Sequence, residues 1–406
     1  MIQKLVHSFL LRRHFWRYAT FSEVSELYIS RILRMAAMHM ASVFISIFLY
    51  QTGYSLIFIA LFWAAFVLFK MIMSLPIAAF IGWIGPKHAI FISNLMYIPA
   101  MLAFALLPIL GPWVLVVVLV FEGISNAMYS IAYSVDFSKV KSAEHAGKEI
   151  AYMNIFEKVT AGLSPLIGGL IALVFGPQVV MVLAAVFFAI AAVPLMKTGE
   201  QVKTRQKLQL RGFPWHLIRS HAFAQMSIGY DLFTSGTVWS LFTAIIILGV
   251  GTGNDVYAMS GLLLSGVFFS AIAASYIYGK LIDRKKGGEL LRISVIVDSL
   301  VHIVRPFADN PITAAAVNAA NEVATTGYAM PYTRGLFDNA DLSGRRITYM
   351  GLVEILSNFG ILIAALLFAF LVMLIGETKA LSNFFFFSAI FVLLILTARF
   401  ALYRKR

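Results

Sequence analysis

The sequence contains no cysteine and few charged residues. The absence of cysteine excludes disulfide bonds, thiol chemistry and metal sites built on thiolates. Charged residues make up 13% and apolar residues 60% of the chain, and the mean hydropathy is +0.86; a soluble domain carries about 25% charged residues. Lipid must therefore cover most of the surface, and the composition excludes an ordinary soluble protein.

Long apolar runs take the place of the missing charge. A helix needs roughly 20 mostly apolar residues to cross a membrane, and twelve stretches meet that requirement, six in each half of the chain. They predict an all-α membrane protein with twelve transmembrane helices. The predicted helices 1 to 12 are, in chain order, 30–50, 55–80, 88–108, 113–135, 148–175, 177–196, 226–249, 256–279, 289–307, 312–333, 346–374 and 379–402.

Acidic residues are scarcer than basic ones, with 19 acids against 32 bases. Most of the bases lie at the two termini and in the even-numbered connections between helices, which predicts that both termini are cytoplasmic. The basic excess is thus a topology signal, and nucleic-acid binding is not predicted. Arg12, Arg13 and Arg17 interrupt the first apolar run, which argues against a cleavable signal peptide. We expect a multi-pass protein of the cell membrane, of the prokaryotic inner-membrane type.

The second half of the chain repeats the first. Segment 147–157 returns as 344–354 with the glycine, a basic residue, the Tyr-Met pair and the glutamate in register, and Glu122 corresponds to Glu322 at an offset of 200. Such a repeat predicts two similar six-helix bundles. The expected units are a cytoplasmic amphipathic segment at 1–28, bundles at 29–196 and 217–406, and a cytoplasmic linker at 197–216.

A cytoplasmic turn between helices 8 and 9 contains Gly279, Asp283 and Arg284. A glycine at this spacing lets two helix ends approach closely, while an arginine and a carboxylate can lock together. We interpret the turn as a latch across the cytoplasmic mouth. The corresponding stretch of the first half has Gly82 in place of the aspartate.

Helix 5 carries a second motif, formed by Gly162, Pro165, Gly168 and Gly169. A proline among small residues lets a membrane helix kink and pack tightly against a partner. Close packing alone explains the motif as well as a role in coupling does.

These features together resemble the major facilitator superfamily. The latch turn is similar to its cytoplasmic signature G-x-L-x-D-R-x-x-G, and the helix 5 motif is similar to one found in proton-linked exporters. The resemblance implies that helices 1, 4, 7 and 10 line a central cavity. It also implies that helices 2, 5, 8 and 11 form the contact between the two halves.

Acidic side chains lie inside the predicted spans, where an unpaired charge costs several kcal/mol. Glu122 and Glu322 are near the membrane midplane, and Glu157 and Glu354 are closer to the cytoplasm. We expect such acids to be protonated, paired or facing water; purely structural hydrogen bonds or salt bridges are the alternative. The candidate substrate and proton cavity comprises His39, Glu122, Asn126, Asn154, Glu157, Asn321 and Glu322.

Basic residues inside the spans suggest ion pairs. Lys70 on helix 2 lies at the same depth as Glu354 on helix 11, which predicts an ion pair between the halves. Lys158 is expected to extend towards the membrane surface or to pair locally. Arg31 and Asp231 stand at the offset of 200 and are expected to pair with each other.

Helix 9 contains Asp298, His302 and Arg305. The first two stand at i and i+4, a spacing that fits a proton relay. Helix 9 is peripheral in the resembling fold, so packing or helix tethering is the preferred interpretation. The eight histidines are scattered, and neither a metal site nor a cofactor is predicted.

Internal repeats, midplane acids and short loops are what alternating access requires. We therefore predict a secondary active transporter that is not an enzyme and works as a monomer. Its expected partners are a small-molecule substrate, protons and membrane lipid. The membrane acids favour proton-coupled movement of a neutral, cationic or amphipathic compound, and the helix 5 motif favours export. A lipid or sugar transporter is the alternative; an integral-membrane enzyme, a sensor or a scaffold is the alternative from another class.

Overall fold

The structure is a computed structural model that describes residues 21–140, 146–197, 199, 207–251 and 253–403. For residues 21–25, 137–140, 146–154 and 268 it describes the backbone alone. Within these ranges all regular secondary structure is helical. Most of the predicted amphipathic segment and part of the predicted linker lie outside the described residues.

Within each half the helices follow one another through short connections, and they are numbered α1 to α12 in agreement with the predicted order; a further short helix, Trp215–Arg219, precedes α7. Some consist of consecutive segments joined by a 3-10 or π turn. The N-terminal half comprises α1 (Phe21–Ala41, Ser42–Phe44, Ile45–Gln51), α2 (Leu56–Ile84), α3 (Pro86–Leu110), α4 (Val114–Val140), α5 (Ala146–Phe175) and α6 (Pro177–Ala192, Val193–Met196). The C-terminal half comprises α7 (Ala222–Phe233, Thr234–Val238, Trp239–Phe242, Thr243–Ile247), α8 (Asp255–Ser265, Phe268–Asp283), α9 (Gly287–Val304, Arg305–Phe307), α10 (Pro311–Leu342), α11 (Arg346–Ile375) and α12 (Glu377–Val392, Leu393–Thr397).

Ten of these helices are long and apolar enough to cross a membrane. The other two are α9, which carries Glu289, Arg292 and Asp298, and α10, which is rich in alanine, asparagine and threonine. Their polar residues include Asp298, Asn318 and Asn321, all of which are buried within the protein. The reduced hydropathy of α9 and α10 thus reflects polar side chains that are buried inside the protein.

Glycine-proline pairs make two of the tightest connections. Gly85 ends α2 with a φ of 96° and donates its N–H to the Ile81 carbonyl at 2.8 Å, and Pro86 begins α3 at once. Gly176 and Pro177 do the same between α5 and α6, with a φ of 87°. Glycine adopts this left-handed conformation without strain, and proline fits the first turn of a helix because its missing N–H has no partner there.

The helix 5 motif lies where α5 meets two other helices. A Cβ atom on Gly168 would overlap the Met40 carbonyl on α1, and one on Gly169 would overlap the Tyr257 carbonyl on α8. The reverse contact is equally close, because a Cβ atom on Gly261 of α8 would overlap the Pro165 carbonyl. The motif therefore allows backbone-to-backbone packing both within the N-terminal half and between the halves.

The C-terminal half contains the equivalent crossing of its first and fifth helices. A Cβ atom on Gly360 of α11 would overlap the Met226 carbonyl of α7, and one on Gly229 of α7 would overlap the Ser357 carbonyl of α11. The α1–α5 and α7–α11 crossings thus use glycine in the same way, as expected of a repeated plan.

Both halves contribute to one apolar core at the end of the bundle where α1 ends and α2 begins. The predicted orientation makes this the outer end. Phe48 and Leu56 of the N-terminal half and Trp239 and Phe368 of the C-terminal half are all buried in this core.

Hydrogen bonds between the halves accompany this core at the outer end. Gln51 Nε2 donates to the carbonyls of Gly251 and Gly253 at 3.0 and 2.9 Å, and the Leu56 N–H donates to Glu377 Oε1 at 3.3 Å. The conformation described is therefore closed at its outer end.

Candidate functional site: buried charges within and between the halves

Lys70 and Glu354 form the ion pair between the halves that their matching depth predicts. Lys70 Nζ on α2 lies 3.2 Å from Glu354 Oε1 on α11, and each side chain is 12% exposed. Ser130 of α4 donates to Glu354 Oε2 at 2.6 Å, and Asn358 Nδ2 donates to Oε1 at 3.1 Å. Three donors from three helices therefore surround the carboxylate.

A second ion pair joins the halves through α5 and α10. Lys158 Nζ pairs with Glu322 Oε1, which also accepts a hydrogen bond from Thr326 Oγ1 at 3.2 Å. The expectation that Lys158 snorkels or pairs locally is wrong, because its side chain crosses to the other half. His39 of α1 lies within electrostatic range of both charges.

Arg31 of α1 pairs within its own half. Its Nε donates to Glu157 Oε1 on α5 at 2.7 Å, and its Nη1 donates to the Tyr129 hydroxyl at 3.2 Å. The guanidinium carbon lies 3.7 Å from the centre of the Tyr133 ring, a cation–π contact. The predicted pairing of Arg31 with Asp231 is therefore wrong.

Arg34, one helical turn further along α1, is fully buried. Its Nη1 donates to Asn94 Oδ1 on α3 at 2.9 Å, and its Nη2 donates to Asn126 Oδ1 on α4 at 3.4 Å. The Tyr129 ring lies against the guanidinium at 3.9 Å. Neutral amides and an aromatic face thus supply most of the stabilisation of this cation.

Glu122 of α4 completes the polar interior of the N-terminal half. It is 3% exposed, and its Oε1 accepts from the Tyr97 hydroxyl at 2.7 Å and from Asn126 Nδ2 at 3.4 Å. Its Oε2 is buried and has no hydrogen-bond partner among the described residues. We name as the N cluster the residues Arg34, Asn94, Tyr97, Glu122 and Asn126.

Asp231 of α7 lies at the centre of a polar network in the C-terminal half. Its Oδ1 accepts from Ser235 Oγ at 2.9 Å and lies 2.9 Å from His302 Nε2 on α9. Its Oδ2 accepts a short hydrogen bond from the Tyr328 hydroxyl on α10. Three groups from three helices thus surround one buried carboxylate.

Arg305 and Asp298 extend this network along α9. Arg305 Nη1 lies 3.0 Å from Ser235 Oγ and 3.2 Å from His302 Nδ1, and the arginine is fully buried. Asp298 is also fully buried, and its Oδ2 lies 3.8 Å from His302 Nε2. We name as the C cluster the residues Asp231, Ser235, Asp298, His302, Arg305 and Tyr328.

The C cluster has the geometry of a possible metal site, since ligand atoms of Asp231, Asp298 and His302 lie within 4.8 Å of one another. The hydrogen bonds of His302 argue against this use. Arg305 can only donate, so His302 Nδ1 accepts and His302 Nε2 carries the hydrogen that faces Asp231. A histidine in this arrangement offers no lone pair to a metal ion.

The latch turn contacts α10 within its own half. Asp283 Oδ1 lies 3.8 Å from Arg334 Nη1 on α10, which also donates to the Ile282 carbonyl at 3.5 Å. Arg284 is exposed, and Gly279 is buried in the turn of α8 that precedes Asp283. Arg334 of α10 therefore pairs with Asp283 inside the C-terminal half, and the latch role of Arg284 stays a prediction.

Two predicted cavity residues remain. Asn321 is 6% exposed, and its Oδ1 has no hydrogen-bond partner in the part of the chain that the structure describes. The side chain of Asn154 lies outside the described residues. Asn321 is next to Glu322 in sequence, but neighbouring side chains of a helix point about 100° apart, so adjacency alone does not place it beside the Lys158 ion pair.

Sequence reasoning missed Arg34, Tyr97 and Tyr328 as partners of buried charges. Arg34 had a usable signal, because an arginine inside a predicted span requires a partner. The tyrosines had none, since tyrosine is common in membrane helices and only the tertiary structure brings its hydroxyl to a carboxylate.

Comparisons with known proteins agree on one family. The sequence model of the Major Facilitator Superfamily matches residues 27–333, which is more than half of the chain. No curated protein sequence matches it.

Solved structures of low sequence identity share the fold. The human organic anion transporter MFSD10 (TETRAN) has a TM-score of 0.66 and 11% identity, covering 92% of this chain and 99% of that one. The transporter FucP in its outward conformation has a TM-score of 0.64 and 13% identity, covering 92% and 97%. A variant of the E. coli fucose:proton symporter FucP has a TM-score of 0.63 and 13% identity, covering 91% and 97%. The matched sequence model and the shared all-helical fold show that this chain belongs to the major facilitator superfamily.

Proposed function

We propose that this protein is a proton-coupled secondary transporter that works by alternating access and exports a small neutral or amphipathic compound. Membership of the superfamily already favours a transporter over a membrane enzyme. The observation that carries the proposal is the presence of two ion pairs, Lys70 with Glu354 and Lys158 with Glu322, buried between the halves. These are contacts that must change when the halves move against each other.

The free-energy cost of separating these ion pairs is what a gate between the halves requires. Separating a buried pair leaves two uncompensated charges, at a cost of several kcal/mol unless water, substrate or a proton replaces the partner. When the halves separate, Glu354 loses Ser130 together with Lys70 and keeps the hydrogen bond from Asn358 of its own half, and Glu322 keeps the one from Thr326. Each carboxylate therefore retains partial stabilisation when the halves separate.

The charge balance of the centre supports a substrate without net charge. Arg31 pairs with Glu157, and Arg34 lies within electrostatic range of Glu122, so four bases accompany the four membrane glutamates, although the sequence reasoning counted only Lys70 and Lys158 as bases. The excess of acid among these glutamates, on which a cationic substrate depended, is therefore removed. A sugar or lipid is the alternative substrate.

Proton coupling is assigned first to Glu122 among the predicted cavity acids. Glu157 and Glu322 are engaged by Arg31 and Lys158, whereas Glu122 lacks an ion pair of this kind and has one free oxygen within the described residues. Export is proposed from the similarity of the helix 5 motif to that of proton-linked exporters.

Purified protein in liposomes provides the test, after a substrate has been found by thermal stabilisation against a compound panel. Glu122→Gln, Glu157→Gln and Glu322→Gln are compared with the wild type in transport driven by a pH gradient and in exchange at equilibrium. An amide cannot carry a proton. The variant in which the proton-carrying glutamate is replaced should therefore lose gradient-driven accumulation and keep exchange. Full gradient-driven transport in all three variants would exclude coupling through these acids.

The orientation and the monomeric state are proposed as well. The chain contains no cysteine. A single introduced cysteine can therefore report its side of the membrane, and no native cysteine has to be removed first. Lys286→Cys and Lys379→Cys place a thiol at exposed positions on opposite ends of the bundle. A membrane-impermeant maleimide should label only Lys379→Cys in intact cells. Labelling of Lys286→Cys alone would reverse the proposed topology. Mass photometry in detergent measures the oligomeric state.

A further inference from the structure

The C cluster holds more negative than positive charge in a place that water does not reach. Asp231, Asp298, His302 and Arg305 are each no more than 2% exposed. Two carboxylates face one guanidinium, and His302 is neutral because its Nδ1 accepts from Arg305. With both carboxylates ionised the cluster would carry one uncompensated negative charge, which is costly in a buried site.

The two carboxylates differ sharply in their surroundings. Asp231 accepts from Ser235, His302 and Tyr328, and these donors stabilise its charged form. Neither oxygen of Asp298 has a hydrogen-bond partner among the described residues. The positive charge that would neutralise the cluster is therefore needed at Asp298 and not at Asp231.

Four helices pack around Asp298 besides its own. α7 contributes Asp231, and α10 contributes Tyr328 and Glu322, so two of these three groups are acids. The Tyr278 ring of α8 packs against Gly327 of α10, and α12 contributes Phe385, which lies beside Arg305. The cation within electrostatic range of Asp298 is Arg305 of α9. The same guanidinium also interacts with Asp231.

We propose that Asp298 binds a proton at neutral pH and forms a second proton site of the transporter, separate from the cavity acids. The site lies in the interior of the C-terminal half, between α7, α9 and α10. It communicates with the gate because Glu322, the partner of Lys158, lies within electrostatic range of Asp298. Release of the proton adds a negative charge near Glu322 and so strengthens the local attraction for Lys158. The coupling part of this inference rests on the proposed function; the binding of the proton does not.

Infrared difference spectroscopy of the purified full chain tests the protonation directly. The spectrum of Asp298→Asn is subtracted from that of the wild type at pH 7, in H2O and in D2O. The expected difference is the loss of a carboxylic acid C=O band that shifts on deuteration. Loss of a carboxylate band instead would overturn the proposal, because it would show that Asp298 is ionised.

Asp231→Asn tests the charge balance, since it changes the other aspartate of the same cluster. It removes the second negative charge, so Asp298 should then ionise beside Arg305, and the carboxylic acid band should be lost without a net loss of carboxylate. The two variants should also differ in stability. Asparagine closely resembles protonated aspartate, so Asp298→Asn should unfold near the wild-type temperature, whereas Asp231→Asn should unfold well below it.

If Asp298→Asn fails to fold, carbon-13 labelling of aspartate in the wild type replaces it. A protonated aspartate then appears at pH 7 as a carboxylic acid band that shifts with the isotope, and absence of such a band overturns the proposal.

A bound sodium ion is the alternative to a proton at Asp298. Sodium chloride is compared with choline chloride at equal ionic strength in thermal unfolding. Stabilisation by sodium in the wild type but not in Asp298→Asn would identify a sodium site and overturn the assignment to a proton.

Transport in liposomes tests the coupling part. Asp298→Asn should lose accumulation driven by a pH gradient and keep exchange at equilibrium. Wild-type accumulation by the variant overturns the coupling role. A wild type that shows no gradient-driven transport contradicts the proposed function instead, and the infrared result then stands on its own.

Discussion

The N cluster and the C cluster occupy equivalent places in the two halves but are built on opposite charges. The first is centred on Arg34, a cation held by amides and an aromatic ring. The second is centred on Asp231, an anion held by a histidine, a tyrosine and a serine. Both join the first, third and fourth helices of their half. The repeat thus preserves the position of a buried polar network and not its chemistry.

This difference explains why Arg31 and Asp231 do not pair, although they stand at the same position of the two repeats. Each is satisfied inside its own half, Arg31 by Glu157 and Asp231 by His302 and Tyr328. Contacts inside a half can persist while the halves move, whereas Lys70–Glu354 and Lys158–Glu322 cannot. The buried charges therefore divide into those that stiffen a half and those that connect the two.

The largest expected effect compares the carboxylates of the two clusters. Asp231→Asn replaces a buried anion that accepts three hydrogen bonds by a neutral amide, so we expect it to lower the free energy of unfolding by about 3–5 kcal/mol. Glu122→Gln keeps an oxygen for Tyr97 and should cost less than about 1 kcal/mol. Thermal unfolding in detergent measures both. Equal losses would show that the clusters are alike in their energetics.

How far the sequence could predict these contacts depends on geometry. Depth along a helix follows from the fixed rise of 1.5 Å per residue, so the pairing of Lys70 with Glu354 was predictable. Rotation about the helix axis was not. Glu157 and Lys158 are neighbours in sequence but point about 100° apart, and they accordingly reach α1 and α10.

Hydropathy located the spans but not the full helices. The structure continues α4 to Val140 and α10 to Leu342, beyond the predicted ends at 135 and 333. The extensions are polar, and a rule based on the apolar thickness of the membrane does not detect them. In the same way, the turn at Asp283 was recognised as a contact site, but its partner Arg334 lies on such an extension and was not identified.

A pH effect on stability is expected from His221 in the C-terminal half. His221, which precedes α7, is 1% exposed, and its ring nitrogens contact the hydroxyls of Tyr332 at 3.1 Å and Tyr349 at 2.6 Å. Burial lowers the pKa of His221 from 6.5 to about 4. Between these two values the unfolded chain binds a proton that the folded chain does not, so stability falls as the pH falls, by about 3 kcal/mol in total.

His221→Gln isolates this effect. The wild type should lose stability between pH 6.5 and pH 4 relative to the variant, and the two curves should run parallel above that range. Thermal unfolding followed across the pH range measures the difference. Parallel curves throughout would mean that His221 is not a buried neutral histidine in the folded protein.

The glycine crossings test whether the two halves share a packing plan. Gly168→Ala and Gly360→Ala each place a Cβ atom against a carbonyl of the neighbouring helix, and the overpacking should cost about 1–3 kcal/mol in either half. Gly236→Ala is the matched control, because nothing lies within 4 Å of its Cβ position; it should be neutral or stabilise by up to about 1 kcal/mol. A loss in one half only would break the correspondence of the α1–α5 and α7–α11 crossings.

The ion pairs between the halves should behave unlike either cluster, with the smallest effect on stability. Lys70→Met and Glu354→Gln should each impair stability or transport, and the double variant should recover part of the loss, since each single change leaves a charge without its partner. Ser130 and Asn358 still donate to Glu354 after Lys70 is removed, so we expect a coupling energy of about 1 kcal/mol, within the range of about 0.5–3 kcal/mol for contacting residues.

The Lys158–Glu322 pair sharpens this test, because its side chains are 25% and 22% exposed against 12% for each member of the first pair. Greater exposure weakens an ion pair, so Lys158→Met with Glu322→Gln should give a smaller coupling. Double-mutant cycles in thermal unfolding measure both, and equilibrium exchange in liposomes measures the effect on transport. Strictly additive losses for Lys70 and Glu354 would show that the two do not act as a pair, and the division between stiffening and connecting charges would then fail.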